Sequence, residues 1–576
     1  MTRAGQSSAE TAGLAWRQWF VLGLLALAGL ALVARAVYLQ VIDQDFLEKK
    51  GDARILREAT LSANRGMILD RNGEPLAVST PVDTVTAHPR TLAQAPHEFA
   101  KLARALDRDP QWLARRVTGS LDRQFVYLVR HMRPQDADRV KALGIPGVNT
   151  QREYRRYYPA GEVTGHLLGF TNVDDVGQEG PELAFDQWLG GVPGVKRVMR
   201  DSLGRTIADI ERIRPPRPGQ DLYTSIDLRV QYLAYRELKA AIQAHRARAG
   251  SLVVLDIATG EVLAMVNQPA FNPNDREQYA ASRYRNRATN DVFEPGSSIK
   301  PFAVAAGLET GSIRADSVID TSPGLLRVGA STVKDKRNLG AIDVTTVLAR
   351  SSNVGVVKIA QTLRPEQMHA VFDHFGFGRV TGSGFPGESA GILPPAQHWK
   401  PINQATISYG YGLSVTALQL AQAYAVLGSG GLQRPVSLRR LDSPPEGERV
   451  LDETVARELV RMMQSVVGEG GTAQRAGVLG YQVAGKTGTA WKASEQGGYS
   501  TNKYIAVFGG VVPASNPRLA AVVVIDEPSA GAYYAGEIAA PVYSAVMSGA
   551  LRLLAIPPDD LQRLPATTLV QAKDPW

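Results

Sequence analysis

A single apolar run near the N-terminus most constrains how this chain can fold. The run follows Trp19, carries no charged residue as far as Ala34, and resumes after Arg35 as far as Ile42. About 20 apolar residues cross the hydrocarbon core of a membrane, and an arginine near the end of such a helix can extend its charge to the interface. The sequence therefore predicts an uncleaved transmembrane anchor at residues 19–42 after a cytoplasmic tail at 1–18. Ala34-Arg35-Ala36 leaves a cleaved signal peptide as the alternative.

Composition narrows the class of protein. The chain has 576 residues, 44% of them apolar, which is enough for two or more cores. A net charge of +8 suits an anionic environment such as a membrane surface or a cell-wall polymer, and no run of basic residues suggests nucleic acid. Cysteine is absent and the eight histidines are scattered, so we expect no disulfide, no metal site and no cofactor.

A proline-rich linker, Ile213-Arg214-Pro215-Pro216-Arg217-Pro218-Gly219, marks the clearest domain boundary, because helices and central strands do not tolerate this density of proline. It separates an N-terminal region, 43–215, from a C-terminal domain, 220–556, and residues 557–576 form a polar tail that we expect to be loosely held. In the C-terminal domain, strands are predicted at 250–256, 261–267, 482–489, 504–512 and 519–525, and helices at 229–246, 353–363, 365–375, 416–427 and 452–467. The predicted fold class is α+β.

Two details of the N-terminal region can be predicted locally. Asn72-Gly73 lies between two short apolar segments, 67–69 and 76–78, which indicates a hairpin with a two-residue turn. Arg152, Arg155 and Arg156 alternate with tyrosines, and we expect a strand with a solvated basic face there.

The stretch from Phe293 to Pro301, FEPGSSIKP, contains the candidate nucleophile. Pro295-Gly296 is a turn signal, and the residues after Pro301 are apolar on nearly every face, so Ser297 is predicted in the first turn of a buried helix. Lys300 lies three positions later, on the same helix face and within reach of the hydroxyl. A lysine whose charge is disfavoured by burial and by neighbouring cations can take the proton of a serine hydroxyl. The same spacing recurs at Ser500 and Lys503 in a polar loop, so the pair alone is weak evidence.

Two further motifs follow in order: Ser351-Ser352-Asn353 and Lys486-Thr487-Gly488-Thr489. If the second is a strand, Thr487 and Thr489 project from the same face. Residues 480–487 also satisfy the phosphate-loop pattern Gly-x4-Gly-Lys-Thr, which would indicate an ATPase. That pattern requires a preceding strand and a long following helix, whereas glycines at 488, 497 and 498 break any such helix. We therefore disfavour nucleotide binding.

With Ser297/Lys300, Ser351/Asn353 and Lys486-Thr487-Gly488 in this order, the sequence resembles the penicillin-binding proteins. Residues 65–73 (RGMILDRNG) and 177–182 (GQEGPE) resemble the pedestal motifs of the monofunctional, class B members, although Pro181 stands where a small or aliphatic residue is usual. Residues 405–413 (ATISYGYGL) and 539–543 (AAPVY) resemble the division-specific, FtsI-like branch.

The resemblance implies a penicillin-binding/serine β-lactamase-like transpeptidase domain, with a helical subdomain and a sheet flanked by helices, after a membrane anchor and an elongated pedestal. It implies an enzyme that cross-links peptidoglycan stem peptides at the division septum and is acylated by β-lactam antibiotics. In this resemblance Ser297 is the nucleophile on the D-Ala-D-Ala carbonyl, Lys300 is the general base, and Ser351 relays a proton between Lys300 and Lys486. Asn353 is a partner of Lys300 and of the substrate amide, and the carboxylate site consists of Lys486, Thr487 and Thr489. Gly488 is the point of close approach between strand and helix, and Tyr533 and Tyr534 form a wall of the cleft.

The resemblance also implies a location and a partner. A single-pass protein of the bacterial inner membrane would place the catalytic domain in the periplasm. No glycosyltransferase domain is evident before residue 220, so polymerisation of glycan strands is assigned to an FtsW-like membrane partner within the divisome. The alternatives are an elongation-specific transpeptidase, a serine β-lactamase, and a penicillin-binding sensor or scaffold that never turns over peptide.

Overall fold

The structure is a computed structural model of the chain, and it describes residues 8–46, 56–200, 206–494 and 497–563. Helices are numbered along the chain as α1 Ser8–Val37, α2 Pro89–Leu92, α3 Phe99–Ala105, α4 Pro110–Thr118, α5 Pro134–Ala142, α6 Gly165–Leu168, α7 Gly180–Ala184, α8 Asp186–Leu189, α9 Leu228–Ala244, α10 Ala281–Tyr284, α11 Arg287–Asn290, α12 Lys300–Glu309, α13 Val344–Arg350, α14 Asn353–Ala360, α15 Pro365–His374, α16 Pro401–Ser408, α17 Ala417–Gly428, α18 Glu453–Val467, α19 Ala535–Ile538 and α20 Ala540–Leu553.

The strands are β1 Leu56–Leu61, β2 Ile68–Leu69, β3 Pro75–Ala87, β4 Val126–Met132, β5 Val148–Tyr157, β6 Gly194–Arg200, β7 Thr206–Arg214, β8 Leu222–Tyr223, β9 Ala249–Asp256, β10 Val262–Gln268, β11 Val318–Asp320, β12 Leu325–Val328, β13 Ser331–Lys334, β14 Ala341–Asp343, β15 Leu432–Gln433, β16 Glu448–Arg449, β17 Ala484–Ala493, β18 Tyr499–Val512 and β19 Leu519–Asp526. The strand that follows the linker, β8, has only two residues. The helices and strands of the C-terminal region confirm the α+β class.

The chain divides into two compact units that do not follow the linear order of the sequence. The first unit comprises residues 1–63, 81–154 and 192–217, and the second comprises 64–80, 155–191 and 218–576. Two segments from the predicted N-terminal region, 64–80 and 155–191, thus belong with the C-terminal unit. The division differs from the linear boundary predicted at the linker because the contacts of these segments are made with residues far along the chain.

The N-terminal helix matches the apolar run. Trp16–Ile42 spans 27 residues with a mean hydropathy of 2.3, and its side chains are exposed. Helix α1 continues into a π-helical turn at Tyr38–Ile42. Within the described ranges it is the only helix long and apolar enough to cross a membrane, which is compatible with a membrane anchor.

The rest of the first unit contains a small α/β core. Strands β1, β6 and β7 form an antiparallel sheet, with Leu56 opposite Met199. Separately, residues of β3 and β4 pair around Val85 and Val129, and helices α2 to α5 contribute to the same apolar cluster. Leu102 and Leu113 are completely buried there.

The second unit is built on a five-stranded antiparallel sheet in the order β10-β9-β19-β18-β17. Successive side chains of a strand point to opposite faces. On β18, the Phe508 ring packs against Tyr543 of α20, whereas a side chain at the next residue, Gly509, would collide with Tyr424 of α17. Helices α20 and α17 therefore cover opposite faces of the sheet. The predicted hairpin at residues 67–78 is confirmed, with Ile68 opposite Ala77. Its turn is longer than the two residues predicted, because the Asp70 N–H donates to the Glu74 carbonyl at 2.8 Å and the Gly73 N–H to the Asp70 carbonyl at 3.2 Å.

The two segments that join the second unit carry a buried ionic cluster. Arg65 Nε and Arg156 Nε donate to the two oxygens of Glu182 at 2.8 and 2.6 Å, and all three side chains are buried. Arg65 Nη1 also donates to Asp186 at 2.7 Å. The expectation of a solvated basic face is therefore wrong for Arg156, because a carboxylate from a different segment compensates its charge.

The start of the C-terminal tail is fixed rather than loosely held. The Asp559 carboxylate accepts hydrogen bonds from the Gln482 N–H at 2.8 Å and the Ser515 hydroxyl at 2.6 Å. The Asp560 N–H donates to the Gly480 carbonyl at 3.0 Å. The prediction of a loose tail is thus wrong for these residues, and residues 564–576 lie outside the described ranges.

Candidate active site

The turn that presents Ser297 begins a buried helix. Residues Gly296–Ile299 form a 3₁₀ turn that leads into α12, with Pro301 in its first turn. Pro301 is tolerated there because the first N–H groups of a helix lack intrahelical acceptors. The α12 side chains from Lys300 to Leu308 are buried, whereas Ser297 is half-buried and lines a cleft of about 1090 Å³. The predicted position at the start of a buried helix is confirmed, with a 3₁₀ turn in place of the first α-helical turn.

The Ser351-Ser352-Asn353 motif forms the tight turn between α13 and α14. Ser351 has a left-handed backbone conformation, with φ 59 and ψ 41, which is uncommon for a residue other than glycine. The Ser352 hydroxyl caps α14 by accepting from the Gly355 N–H at 2.8 Å. Asp335, in the loop after β13, accepts from the Ser352 hydroxyl and the Asn353 N–H, each at 2.5 Å. These contacts fix the direction in which Ser351 and Asn353 project.

The Lys486-Thr487-Gly488-Thr489 motif lies on the edge strand β17. Gly488 is required by packing, because a Cβ there would lie 2.4 Å from the Pro295 carbonyl oxygen and 2.9 Å from the Ser298 nitrogen. The Ser297 turn is therefore pressed directly against this strand. The pairing of β17 excludes a phosphate loop at this position, because Lys486 and Thr487 pair with β18 and the strand continues to Ala493 where a phosphate loop would lead into a helix.

The three motifs converge on the hydroxyl of Ser351. Lys300 Nζ lies 3.2 Å from Ser351 Oγ, and Lys486 Nζ lies 3.0 Å from the same atom. Lys300 Nζ also donates to Asn353 Oδ1 and to the Ser351 carbonyl, each at 2.7 Å. The Ser351 hydroxyl thus bridges the amines of Lys300 and Lys486, two residues that are 186 positions apart in the sequence.

Both amines are held in conditions that disfavour their charge. Lys300 and Lys486 are fully buried. Burial, followed by the charges of Lys486 and Lys336, lowers the pKa of Lys300 well below its usual value, although Asp335 opposes the shift. Burial, followed by the charge of Lys336, lowers the pKa of Lys486 to about 7. A neutral lysine amine can accept a proton, which is the property required of a general base.

One predicted contact is not formed. Among the described residues, the Ser297 hydroxyl makes no hydrogen bond to Lys300, because the Lys300 amine is occupied by Ser351 and Asn353. Ser297 and Ser351 nevertheless line the same cleft. Hydrogen bonds between catalytic groups commonly tighten when substrate binds, so the arrangement is compatible with proton transfer from Ser297.

The opposite side of the cleft presents hydroxyl groups and aromatic rings. Thr487 and Thr489 both line the cleft, as the strand alternation predicts. The Thr489 hydroxyl accepts from the Ala535 N–H at 3.1 Å, which ties β17 to the start of α19. Tyr533 stacks on Tyr504 with ring centroids 4.2 Å apart and contacts Tyr534 at 4.4 Å. The tyrosines predicted to form a wall therefore lie at the cleft.

Three residues near the site were not singled out from the sequence. Asp335 orders the Ser352–Asn353 turn, Lys336 lines the cleft, and the Thr472 hydroxyl lies 3.0 Å from that of Thr487. All three lie in loops without hydrophobic periodicity. The only available signal was Lys334-Asp335-Lys336-Arg337, a short charged run between two weak strands, and a solvated turn has the same appearance.

Two protein families match the chain. The penicillin-binding protein transpeptidase domain matches residues 250–548, which include all three motifs. The penicillin-binding protein dimerisation domain matches residues 60–224. Together these matches cover most of the chain after the apolar helix.

Full-length relatives and solved structures agree with these matches. The chain is 45% identical over 553 residues to the peptidoglycan D,D-transpeptidase FtsI of Escherichia coli K12, covering 95% of this chain and 93% of that protein. It is 42% identical to the probable peptidoglycan D,D-transpeptidase PbpC of Pseudomonas aeruginosa, covering 96% and 97%. A peptidoglycan synthetase from Bifidobacterium adolescentis superposes with a TM-score of 0.70 at 26% identity, covering 88% of this chain and 98% of that one. The transpeptidase domain of Burkholderia pseudomallei penicillin-binding protein 3 superposes with a TM-score of 0.54 at 40% identity, covering 59% and 98%. The chain therefore belongs to the penicillin-binding protein transpeptidases, in the group that contains FtsI.

Proposed function

We propose that this protein is a peptidoglycan D,D-transpeptidase that cross-links stem peptides at the division septum through an acyl-enzyme on Ser297. The observation that carries the proposal is the bridge at Ser351 Oγ, 3.2 Å from Lys300 Nζ and 3.0 Å from Lys486 Nζ, in the cleft that Ser297 lines. Membership of the FtsI-containing group supports the septal role. The same serine is the proposed site of acylation by β-lactams.

In the acylation step, Lys300 is the proposed general base. Burial lowers its pKa and so favours the neutral amine, which can take the Ser297 proton while Oγ attacks the carbonyl carbon of the penultimate D-Ala. The backbone N–H groups of Ser297 and Thr489 are the proposed donors to the resulting oxyanion. When the peptide C–N bond breaks, the proton passes from Lys300 through the Ser351 hydroxyl to the leaving amine, and D-Ala departs.

Binding of the terminal carboxylate is assigned to the β17 side of the cleft. Lys486 supplies positive charge, because a bound carboxylate favours its protonated form, and the hydroxyls of Thr487 and Thr489 supply hydrogen bonds. Asn353, whose Oδ1 accepts a hydrogen bond from Lys300 at 2.7 Å, is also the proposed partner of the substrate amide. Gly488 allows the strand to approach Ser297, and Tyr533 forms part of the wall. In the second step, the amine of a neighbouring stem peptide attacks the ester, forms the new amide bond and releases Ser297.

The location and partners follow from the same assignment. We place residues 19–42 in the bacterial inner membrane and the catalytic domain in the periplasm, where peptidoglycan lies; the apolar helix Trp16–Ile42 supports an anchor. Residues 43–215 are the proposed pedestal and 220–556 the transpeptidase domain, in keeping with the family matches at 60–224 and 250–548. Glycan polymerisation is assigned to an FtsW-like membrane partner.

Fluorescent penicillin tests the proposal. The purified protein is labelled, loss of the label is followed over hours, and transfer of a D-Ala-ended thioester to a D-amino acid is measured in parallel. We expect stable labelling and measurable transfer, and we expect Ser297→Ala to lose both. Ser500→Ala is the matched control, because Ser500 precedes Lys503 with the same spacing, but its hydroxyl donates to the Asn502 side chain at 3.0 Å and it does not line the cleft.

Each alternative gives a different result in this experiment. Rapid loss of the label would indicate a β-lactamase, and stable labelling without transfer would indicate a sensor or scaffold. Labelling that survives in Ser297→Ala would contradict the assignment of the nucleophile.

A further inference from the structure

A lysine contact bridges the two walls of the cleft. Lys336 lies in the loop between β13 and β14, and its Nζ is 3.9 Å from the ring centroid of Tyr534, which precedes α19. Both residues line the cleft that contains Ser297. A cation over an aromatic face at this distance is attracted to the ring, but the attraction is weak where both groups are exposed to water. The contact therefore links these two residues of the cleft only weakly.

The Lys336 charge is not matched by a carboxylate. Within the described ranges, no acidic side chain forms an ion pair with Lys336. Its neighbour Asp335 is engaged by Ser352, Asn353 and Val354. The cleft is also lined by Lys334, Arg337, Arg350 and Arg475, against Asp335 and Glu537. Positive charges outnumber negative ones among these cleft residues, so the cleft is suited to an anionic ligand.

The charge of Lys336 also reaches the two buried amines. It contributes to lowering the pKa of both Lys300 and Lys486. Because Lys336 lines the same cleft as Ser297, a peptide bound in the cleft can come within reach of its ammonium group. Because the Lys336 side chain is exposed, it can leave the Tyr534 ring and turn towards such a peptide.

We propose that Lys336 is a specificity-determining residue that binds a second carboxylate of the donor peptide, exchanging its contact with Tyr534 for an ion pair. The proposal rests on the proposed function. A charge-assisted hydrogen bond to a carboxylate is stronger than an exposed cation–π contact, so the exchange is favourable.

The position of this carboxylate follows from the reaction. The leaving D-Ala carries one carboxylate, the terminal one, which is assigned to Lys486, Thr487 and Thr489. Any second carboxylate of the donor must therefore lie on the N-terminal side of the scissile bond and stay in the acyl-enzyme. The substrate class is a stem peptide with a free side-branch carboxylate, in preference to one in which that group is amidated. An acceptor peptide could offer the same chemistry, so the experiment needs an arm for each source.

The donor arm compares two peptides, L-Ala-γ-D-Glu-L-Lys-D-Ala-D-Ala and its α-amide at the glutamate. The affinity of each for the full-length protein in detergent is measured from the slowing of fluorescent penicillin labelling. We expect the wild-type protein to prefer the free acid. In Lys336→Gln, the affinity for the acid should fall about threefold to tenfold, while the affinity for the amide changes by less than about twofold. Lys336→Arg should keep the preference, because it keeps the charge.

Lys503→Gln is the matched control. It removes one positive charge from the same unit, but Lys503 pairs with Glu527 at 3.3 Å and does not line the cleft. We expect it to keep the wild-type preference. Added salt should reduce the preference of the wild-type protein, because an exposed ion pair is screened.

The acceptor arm compares transfer of a D-Ala-ended thioester to D-alanine and to D-alaninamide. A preference for D-alanine that disappears in Lys336→Gln would place the bound carboxylate on the acceptor and contradict the donor assignment.

Equal affinity of the two donor peptides for the wild-type protein, or an unchanged preference for the free acid in Lys336→Gln, would overturn the proposal. The wild-type protein separates the two levels of failure: if it is labelled at Ser297 and transfers the thioester, the proposed function stands whatever the peptide arms show.

Discussion

Two groups of buried cations in the second unit differ in what surrounds them. Arg65 and Arg156 share the Glu182 carboxylate, and Arg65 also contacts Asp186. Lys300 and Lys486 are equally buried, but their amines contact hydroxyl, carbonyl and amide oxygens, and among the described residues neither is within ion-pair distance of a carboxylate.

The difference appears in the pKa of each group. Burial alone would lower the pKa of Arg65, but the charge of Glu182 and hydrogen bonds to Asp186 and Glu182 outweigh it, and the pKa is raised. The pKa of each lysine is lowered, because burial and positive neighbouring charges act together and outweigh the opposing charge of Asp335 on Lys300. A compensated cation stabilises the fold, whereas an uncompensated lysine is available for proton transfer.

The largest expected effect is on stability, at the compensated cluster. Arg65→Met leaves the buried Glu182 with a single partner, so the free energy of unfolding of the second unit should fall by about 3–5 kcal/mol. The measurement is chemical denaturation, in which the transition that bound penicillin stabilises identifies the second unit.

The control for this substitution is an exposed ion pair. Arg314→Met removes a contact of 3.3 Å to Asp316 between exposed side chains of the same second unit and should cost less than about 1 kcal/mol. Equal losses in Arg65→Met and Arg314→Met would show that the buried cluster has no special structural role.

The next largest effect is on the rate of acylation, and it distinguishes two lysines of strand β17. Lys486 is uncompensated, whereas Lys492 contacts Asp526 at 2.8 Å and Glu527 at 2.7 Å. Lys486→Met should lower the second-order rate constant of penicillin acylation roughly a hundredfold, because a preorganised charge is lost, without lowering stability. Lys492→Met should leave acylation near the wild-type rate and lower stability by about 1 kcal/mol. The opposite pattern would refute the distinction between compensated and uncompensated cations.

A smaller effect is expected in the pH dependence of stability. The pKa of Lys486 is about 7 in the folded protein and about 10.4 in an unfolded chain. Between these values the unfolded chain binds a proton that the folded protein lacks, so stability rises with pH, by up to about 1.4 kcal/mol per pH unit from this group. Lys486→Met removes this contribution. The difference in unfolding free energy, wild type minus variant, should therefore increase from pH 7 to pH 10, and a constant difference would contradict the lowered pKa.

The smallest effect concerns a residue that the sequence did not reveal. The Thr472 hydroxyl is 3.0 Å from the Thr487 hydroxyl, which is assigned to the carboxylate site. Thr472→Val should reduce the acylation rate about twofold to fivefold through loss of this hydrogen bond. Thr472→Ser keeps the hydroxyl and should react like the wild type. If Val and Ser behave alike, the contact does not position Thr487.

Local sequence patterns predicted most of the second unit. Helix α9 and strands β9, β10, β17 and β19 lie within a few residues of their predicted bounds, because each combines a clear hydrophobic pattern with a turn signal at its ends. The order of the three motifs predicted which residues meet in the cleft. Their convergence on Ser351 Oγ is a property of the folded chain, since local patterns carry no information about contacts across 186 positions.

The failures of prediction occur where distant segments decide the outcome. Arg156 was expected on a solvated face, but its burial depends on Glu182, which no local pattern connects to it. Asp335 and Thr472 act from irregular loops, where charge and polarity indicate only exposure. The grouping of segments 64–80 and 155–191 with the C-terminal residues also depends on distant contacts, and periodicity identifies an element and not its partner.

The most direct test of the central claim is the rate of Ser297 acylation by benzylpenicillin in the wild-type protein and in Lys300→Met, with the adduct located by mass spectrometry. The account predicts an adduct on the peptide that contains Ser297 and a rate constant about 10² to 10⁴ times lower in Lys300→Met, with folding retained. An adduct at another residue, or acylation of Lys300→Met at the wild-type rate, would contradict it.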